Sequence, residues 1–309
     1  MYLSVIIPLL NEEDSLQELH QRLTEVAAQL GKTYELIFID DGSKDQSPKI
    51  LQALHEQDSH VKIIQFRKNF GKAAALAQGF ARAGGEYVIT MDADLQDDPN
   101  EIPALIEKLD SGYDLVSGWK KKRYDPLSKR LPSKFFNFVV SRFAGIRLHD
   151  FNCGLKGYRN EVVKIVKIYG QLHRFIPMLA HWEGFHVTEM VVQHHPRKHG
   201  KTKYGFSRHL HGFFDLMTVV FLARFKKRPL HLFGIPGTIS FAIGAIISLY
   251  LAIARIFSNV YLSNRPILFL GILLIIIGVQ FISLGLLGEM ITDTQKENQE
   301  VSIRSIKGF

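Results

Sequence analysis

Three groups of side chains could do chemistry, and each follows a short apolar run. Asp92-Ala93-Asp94-Leu95-Gln96-Asp97-Asp98 follows residues 87–91, Asp40-Asp41-Gly42-Ser43 follows residues 35–39, and Asn11-Glu12-Glu13 comes shortly after the run that ends in Pro8. Gathered carboxylates repel one another, and a hard divalent cation with oxygen ligands is the usual resolution. Side chains alternate along an extended chain, so Asp92, Asp94 and Gln96 share one side if the backbone stays extended past residue 91. An Asp-x-Asp pair alone carries little weight, because at about 5% Asp a chain of this length yields one by chance. Its place behind an apolar run, with a second acidic pair behind an earlier run, carries more and points to a site for a metal ion and a diphosphate.

The elements that must position these groups are legible in the periodicity. Runs at 3–8, 35–39, 61–66, 87–91 and 113–116 read as buried strands. Between the first two, Leu16, Leu19, Leu23, Val26 and Leu30 are spaced by three and four, which predicts a helix capped by Asp14 and stopped by Gly31. Further helices are expected over 47–56, 71–82 and 100–109. Strands alternating with helices predict a mainly parallel sheet covered on both faces. Ligands of such sheets bind beyond the carboxyl ends of the strands, where all three groups fall.

The rest of the chain has a different character. Residues 230–254 and 266–288 contain no Asp, Glu, Lys or Arg, and at about 1.5 Å per residue each run can cross a hydrocarbon core about 30 Å thick. Two spans enclose no pathway, so a channel or transporter is not expected. The net charge of +8 is concentrated in residues 120–147 and 193–228. The second segment runs into a span, so attraction to anionic lipid explains it better than nucleic acid. Residues 127–145 and 206–225 interleave Phe with Lys and Arg and read as amphipathic helices in the membrane interface, with a core-facing helix as the competing reading. Arg224, Lys226, Lys227 and Arg228 precede the first span, which places the first half and the residues after 293 on the cytoplasmic side. The first eight residues have no signal-peptide pattern, and Cys153 is the only cysteine, which fits a reducing compartment.

These motifs together resemble the inverting family 2 glycosyltransferases of the GT-A fold, in the branch that glycosylates polyisoprenyl phosphates. The resemblance rests on Pro8-x-x-Asn11-Glu12, Asp40-Asp41-Gly42-Ser43, Arg67-Lys68-Asn69-Phe70-Gly71-Lys72, Asp92-Ala93-Asp94-Leu95-Gln96, Asp150-Phe151-Asn152-Cys153-Gly154 and residues 197–204. It implies a Rossmann-like catalytic domain over 1–204, a juxtamembrane helix over 205–228, a two-helix hairpin over 229–292 and a cytoplasmic tail over 293–309. The implied reaction moves one sugar from a UDP- or GDP-sugar to a polyprenyl phosphate at the inner (plasma) membrane, with Mg²⁺ or Mn²⁺ as cofactor. A homo-oligomer stays open.

The resemblance also implies roles. Pro8, Asn11, Glu12, Asp40 and Asp92 line the nucleotide pocket, with Asp40 near the base and Glu12 near the ribose. Asp92, Asp94 and Gln96 hold the metal, which makes Asp94 catalytic as well. Asp150 takes the place of a catalytic or acceptor-orienting carboxylate, with a capping Asp as the alternative. Arg197, Lys203 and Arg123 are expected at the acceptor phosphate. Asp41 is divided between supporting its turn and touching ligand. Residues 171–175, Gln-Leu-His-Arg-Phe, resemble imperfectly the Gln-x-x-Arg-Trp signature of processive polysaccharide synthases, but two spans are too few for a polymer channel. The competing readings are a transferase acting on another lipid or a growing glycan, and a non-catalytic membrane scaffold. Metal-dependent nucleotide binding would separate the last from the others.

Overall fold

The computed structural model describes residues 1–121, 137, 140–142, 144–168, 172–196, 229–258, 266–294 and 303–308. The chain divides into two units, one formed by Met1–Leu216 with Gln299–Phe309 and the other by Met217–Asn298.

The first unit is built on an eight-stranded sheet. Its strands are β1 (Leu3–Leu9), β2 (Tyr34–Asp40), β3 (Val61–Phe66), β4 (Tyr87–Thr90), β5 (Leu115–Trp119), β6 (Lys156–Arg159), β7 (Val187–Val191) and β8 (Ile303–Lys307), in the order β7-β5-β6-β4-β1-β2-β3-β8. β1 pairs in parallel with β2 and β4, β2 with β3, and β5 with β7, whereas β6 and β8 run antiparallel to their neighbours. Every residue of β1 is buried, as expected for a central strand covered on both faces. The crossovers are α1 (Leu16–Leu30), α2 (Ser47–Gln57), α3 (Lys72–Arg82) and α4 (Ile102–Asp110), followed by α5 (Asn160–Ile165) and α6 (Ile176–Trp182).

The strands and helices predicted between residues 3 and 116 are all present, with ends shifted by a few residues. Helix α1 buries Leu16, Leu19, Leu23 and Val26, the apolar stripe read from the sequence. At about 1.5–3 kcal/mol per buried aliphatic side chain, that stripe outweighs any end effect. The capping expectation fails: Ser15, not Asp14, stands at the N-cap, and its hydroxyl donates to the Glu12 carbonyl at 3.0 Å. That bond closes the turn after β1, and no side chain caps the first amides of α1. Strands β6, β7 and β8 carry no run long enough to announce them. β8 lies in the segment expected to be a cytoplasmic tail and closes the β3 edge of the sheet.

Of the expected interfacial helices, residues 206–225 lie outside the described residues. So does most of 127–145, but Asn137, Val140 and Ala144 are buried within the first unit. That face of the segment packs inward, as the competing reading held.

The second unit is a pair of helices, α7 (Pro229–Ser258) and α8 (Pro266–Thr294). They contain two segments long and apolar enough to cross a membrane, Leu232–Phe257 and Pro266–Gly288, with mean hydropathies of 2.0 and 2.8 and only 11% of each window buried. Their contact is a seam of glycines seven residues apart, Gly237 and Gly244 on α7 against Gly271, Gly278 and Gly285 on α8. A Cβ on Gly244 would lie 2.5 Å from the Gly271 carbonyl oxygen, and one on Gly278 would lie 2.6 Å from the Phe241 amide nitrogen. Bare backbones approach closely where lipid offers no hydrophobic drive to associate. The Ser240 hydroxyl adds a hydrogen bond to the Leu274 carbonyl at 2.9 Å.

Candidate active site

The loops after β1 and β2 are bolted together by side chains reaching backbone amides. The Asn11 amide donates to Ser43 Oγ at 2.8 Å and Asn11 Oδ1 accepts from the Lys44 amide at 2.8 Å, while the Glu12 amide donates to Ser47 Oγ at 3.1 Å. Asn11 has φ of 52°, a left-handed conformation that Asn tolerates better than most residues. Asp40 is fully buried; its Oδ1 accepts from the Ser43 amide at 2.8 Å and its Oδ2 from Gln65 at 3.2 Å. The turn-supporting role that Asp41 was expected to share therefore belongs to Asp40. Asp41 reaches instead to the next loop, where it accepts from the amides of Phe70 (2.7 Å) and Gly71 (3.0 Å) and so fixes the start of α3. Burial holds the Asp41 carboxyl above its usual range despite those two bonds, and the charge of Asp40 adds to the effect.

Beyond β4 the pattern changes. Met91, Ala93, Leu95 and Asp97 are buried, while Asp92, Asp94 and Gln96 are half-buried and face outward between them. The chain is not extended here, because Leu95 has φ of 59°. The extended backbone on which their common side was expected is therefore interrupted between Asp94 and Gln96. Asp92 is paired with Lys72, the first residue of α3. Burial opposes ionisation of Asp92, but the charges of Lys72, Lys120 and Lys156 outweigh it and hold the pKa at about 2. Asp97 is enclosed, and its carboxylate meets Lys120 at 2.7 Å. Lys120 was counted with the basic stripe facing lipid; the structure turns it inward, where it ties this loop to the end of β5.

The same loop is joined to the segment leading to residue 197. The His195 amide donates to the Gln96 carbonyl at 2.8 Å, the His195 ring lies 2.9 Å from Asp98 Oδ2, and Asp97 forms an antiparallel bridge with His194. Arg197, Lys203 and Arg123 themselves lie outside the described residues.

Asp150 is 1% exposed. Its Oδ1 accepts from the Asn152 amide at 3.1 Å, an Asx turn that leads into β6 and not into a helix, and its carbonyl accepts from Ser117 Oγ at 3.2 Å. Next to it, His149 stacks on Trp119 at 4.0 Å and pairs with Glu189. Four residues on, Gly154 is in contact with Asp92: a Cβ there would lie 2.6 Å from Asp92 Oδ2. Pro8, Lys72, Asp92, Gly154, Lys156 and His173 all line one cavity. Burial pushes Lys156 below the usual lysine range, and pushes His173 down to about 3 with help from Lys72 and Arg174, so the imidazole is neutral. Burial raises the Cys153 thiol to about 12, so it packs and does not react.

The sequence pointed only weakly to Lys72 and missed Lys156 entirely. A lysine opening an unrecognised antiparallel strand reads as surface, and only the pairing of Lys156 with Thr90 and Ser117 places it at the carboxyl edge of the sheet.

The outward groups fit a hard divalent cation. They offer only oxygen ligands from two carboxylates and an amide, and Asp92 stays ionised. Among the described residues no set of three or more His, Cys, Asp or Glu surrounds one point. A cation held by one or two carboxylates and completed by substrate phosphates and water suits Mg²⁺ or Mn²⁺.

A mainly parallel sheet gathering carboxylates and lysines beyond its carboxyl edge is the architecture of α/β proteins that bind ligands there. The chain belongs to glycosyl transferase family 2, whose profile matches residues 4–166. It is 37% identical to dodecaprenyl-phosphate galacturonate synthase of Rhizobium johnstonii, over 94% of this chain and 88% of that protein. It is 40% identical to undecaprenyl-phosphate 4-deoxy-4-formamido-L-arabinose transferase of Shewanella sediminis, over 94% of this chain and 87% of that protein. Among solved structures, glucosyl-3-phosphoglycerate synthase from Mycobacterium tuberculosis, in complex with Mn²⁺ and UDP-glucose, superposes with a TM-score of 0.54 at 16% identity, over 72% of this chain and 78% of that one. That likeness shows the shared GT-A fold.

Proposed function

We propose that the protein transfers one sugar, with inversion, from a nucleotide sugar to the phosphate of a membrane polyprenyl lipid, forming a polyprenyl-phosphate sugar for envelope modification. The observation that carries this reading is the match to relatives named for polyprenyl-phosphate sugar transfer, which extends over 94% of the chain. Two helices apolar enough to span a bilayer support the reading of a two-span inner-membrane enzyme with its catalytic unit on the cytoplasmic face.

In this reading Asp92, Asp94 and Gln96 hold Mg²⁺ or Mn²⁺. Bound there, the ion supplies Lewis-acid stabilisation to the departing nucleoside diphosphate. Lys72 keeps Asp92 ionised and offers a cation to the same diphosphate. Pro8, Asn11, Glu12 and Asp40 shape the nucleotide pocket, Asp40 through the lone pairs its own fold leaves over. The acceptor phosphate has a second pKa near 6 and is largely dianionic at neutral pH, so Asp150 has no proton to remove and orients acceptor or donor. Arg123, Arg197 and Lys203 receive the acceptor phosphate at headgroup depth.

The test is incubation of the purified full chain in lipid nanodiscs with labelled nucleotide sugars, a polyprenyl phosphate and Mn²⁺. Label is expected in the lipid phase and is expected to disappear with excess EDTA. No lipid label with any donor, while nucleotide binding is intact, would sink the acceptor assignment. Arg197→Lys keeps the charge and loses the planar fork; lipid transfer is expected to fall while nucleotide affinity holds.

A further inference from the structure

A row of paired residues crosses four strands of the sheet. Thr90 pairs with Lys156, Lys156 with Ser117, and Ser117 with Glu189, so the row runs over β4, β6, β5 and β7. Directly paired residues put their side chains on one face. At one end Thr90 and Lys156 line the cavity with Asp92. In the middle Ser117 holds the Asp150 carbonyl. At the other end Glu189 holds the residue before Asp150: one oxygen accepts from the His149 amide at 2.7 Å, and the other pairs with the ring Nδ1.

The His149 ring is fixed and yet open. It lies on Trp119, with centroids 4.0 Å apart and planes at 11°, while 63% of the side chain is exposed. A link that only tied β7 to residue 149 would need the backbone amide and not the ring. A carboxylate on Nδ1 keeps a proton there and aims the other nitrogen. Among the described residues Nε2 has no hydrogen-bond partner. Nε2 accepts in the neutral ring and donates in the protonated one, so it can meet a phosphate monoester as monoanion or as dianion. A second cation is close by, because Lys121 Nζ lies 5.7 Å from the Trp119 ring centroid.

We propose that His149, oriented by Glu189, is a ligand of the acceptor phosphate on the side of Asp150 away from Asp92. This rests on the proposed function and deepens it by giving the acceptor's charged group a ligand of its own. In an inverting transfer the attacking oxygen and the leaving group lie on opposite faces of the sugar. Neighbouring strands are about 4.8 Å apart, so Glu189 stands about 10 Å along the row from Lys156. That leaves room for one sugar ring between donor diphosphate and acceptor phosphate. His149 makes the bond to phosphate, and Glu189 acts through it as a positioning residue.

The experiment measures equilibrium binding of farnesyl phosphate, a short polyprenyl phosphate, to the full chain in phosphatidylcholine nanodiscs with Mn²⁺ and UDP or GDP. Farnesol and inorganic phosphate are the companion probes, and wild type is expected to bind farnesyl phosphate more tightly than either. An Asn amide reaches the place of Nδ1 and a Gln amide that of Nε2, so two substitutions separate the roles of the ring. His149→Asn is expected to weaken farnesyl phosphate about tenfold, the range of a hydrogen bond to a charged group. His149→Gln is expected to lose much less, and both variants to keep nucleotide affinity and thermal midpoint. A purely structural ring predicts the reverse order, since only Asn keeps the bond to Glu189. Wild-type binding by His149→Asn, or a loss as large in His149→Gln, would overturn the proposal and leave the transferase reading standing. A loss of nucleotide affinity in place of acceptor affinity would do the same. Combined with Glu189→Gln, His149→Asn is expected to cost less than it does alone, because Nε2 is then no longer aimed; additive losses would remove Glu189 from the role. Inorganic phosphate bound as tightly as farnesyl phosphate would assign the pair to a free anion and overturn the lipid ligand. Absence of farnesyl phosphate binding by wild type, with nucleotide bound, would overturn this inference and the acceptor assignment together.

Discussion

The loops after β2 and β4 look alike in the sequence, each an aspartate pair behind a buried strand, and the fold uses them in opposite ways. After β2, Asp40 and Asp41 spend their oxygens on the amides of Ser43, Phe70 and Gly71 and on the Gln65 side chain. After β4, Asp92, Asp94 and Gln96 are half-buried, while Asp97 is enclosed and meets Lys120. A carboxylate held by backbone amides is a strut first, with only its remaining lone pairs open to a ligand. One facing a lysine, as Asp92 faces Lys72, can exchange that partner for a metal ion. Neighbours, and not the motif, decide between the two.

The contrast breaks most visibly at a strut away from the site. Glu35 is 1% exposed, accepts from the Gly84 amide at 2.8 Å and pairs with Lys62 at 2.7 Å. Glu35→Gln is expected to destabilise the first unit by about 3 kcal/mol at pH 7 and to lower the thermal midpoint, with the per-molecule rate of the folded fraction unchanged. Burial opposes ionisation of Glu35, but Lys62, Ser4 and Gly84 outweigh it and lower its pKa. Its contribution is therefore present above the unfolded value and lost as pH falls through the lower folded one. The gap between wild type and variant should narrow from about pH 5 downward. A gap constant from pH 7 to pH 3 would refute that assignment.

Asp94→Asn tests the other side. It removes a charge at nearly constant volume, so kcat is expected to fall by about 10²–10³ with the thermal midpoint unchanged. Full turnover by this variant would remove Asp94 from the site. Asp41→Ala sharpens the contrast within the β2 loop. It leaves the Phe70 and Gly71 amides without their acceptor, at about 2 kcal/mol of stability; a large loss of nucleotide affinity in variant that is still folded would show that Asp41 contacts ligand. The smallest effect is expected for Gly154→Ala. Its methyl must displace the Asp92 carboxylate, and about a tenfold weaker Mn²⁺ affinity corresponds to about 1.4 kcal/mol. An unchanged Mn²⁺ titration would mean that Asp92 is not a ligand.

Much of this molecule was legible in one dimension. The five apolar runs became β1 to β5, the spacing of Leu16, Leu19, Leu23 and Val26 became the buried face of α1, and the two uncharged runs lie within α7 and α8. The common side expected of Asp92, Asp94 and Gln96 rested on an extended chain, which Leu95 interrupts. β6, β7 and β8 were illegible because each is short and takes its place from strands far away in the chain. Lys120 and Lys156 were misread or missed for the same reason, since nothing local separates a buried lysine from a solvated one.

The sequence by itself thus determined where chain periodicity changes, which segments can span a bilayer, and which carboxylates stand at strand ends. These are properties of spacing and length, set within a few residues. Only the tertiary structure decided which of those carboxylates are struts, that Lys120 and Lys156 point inward, and that residues 303–307 return to close the sheet. Each of those outcomes depends on a partner tens to hundreds of residues away. Whether a charge stays available depends on burial and on the donors surrounding it, which exist only once the chain has folded.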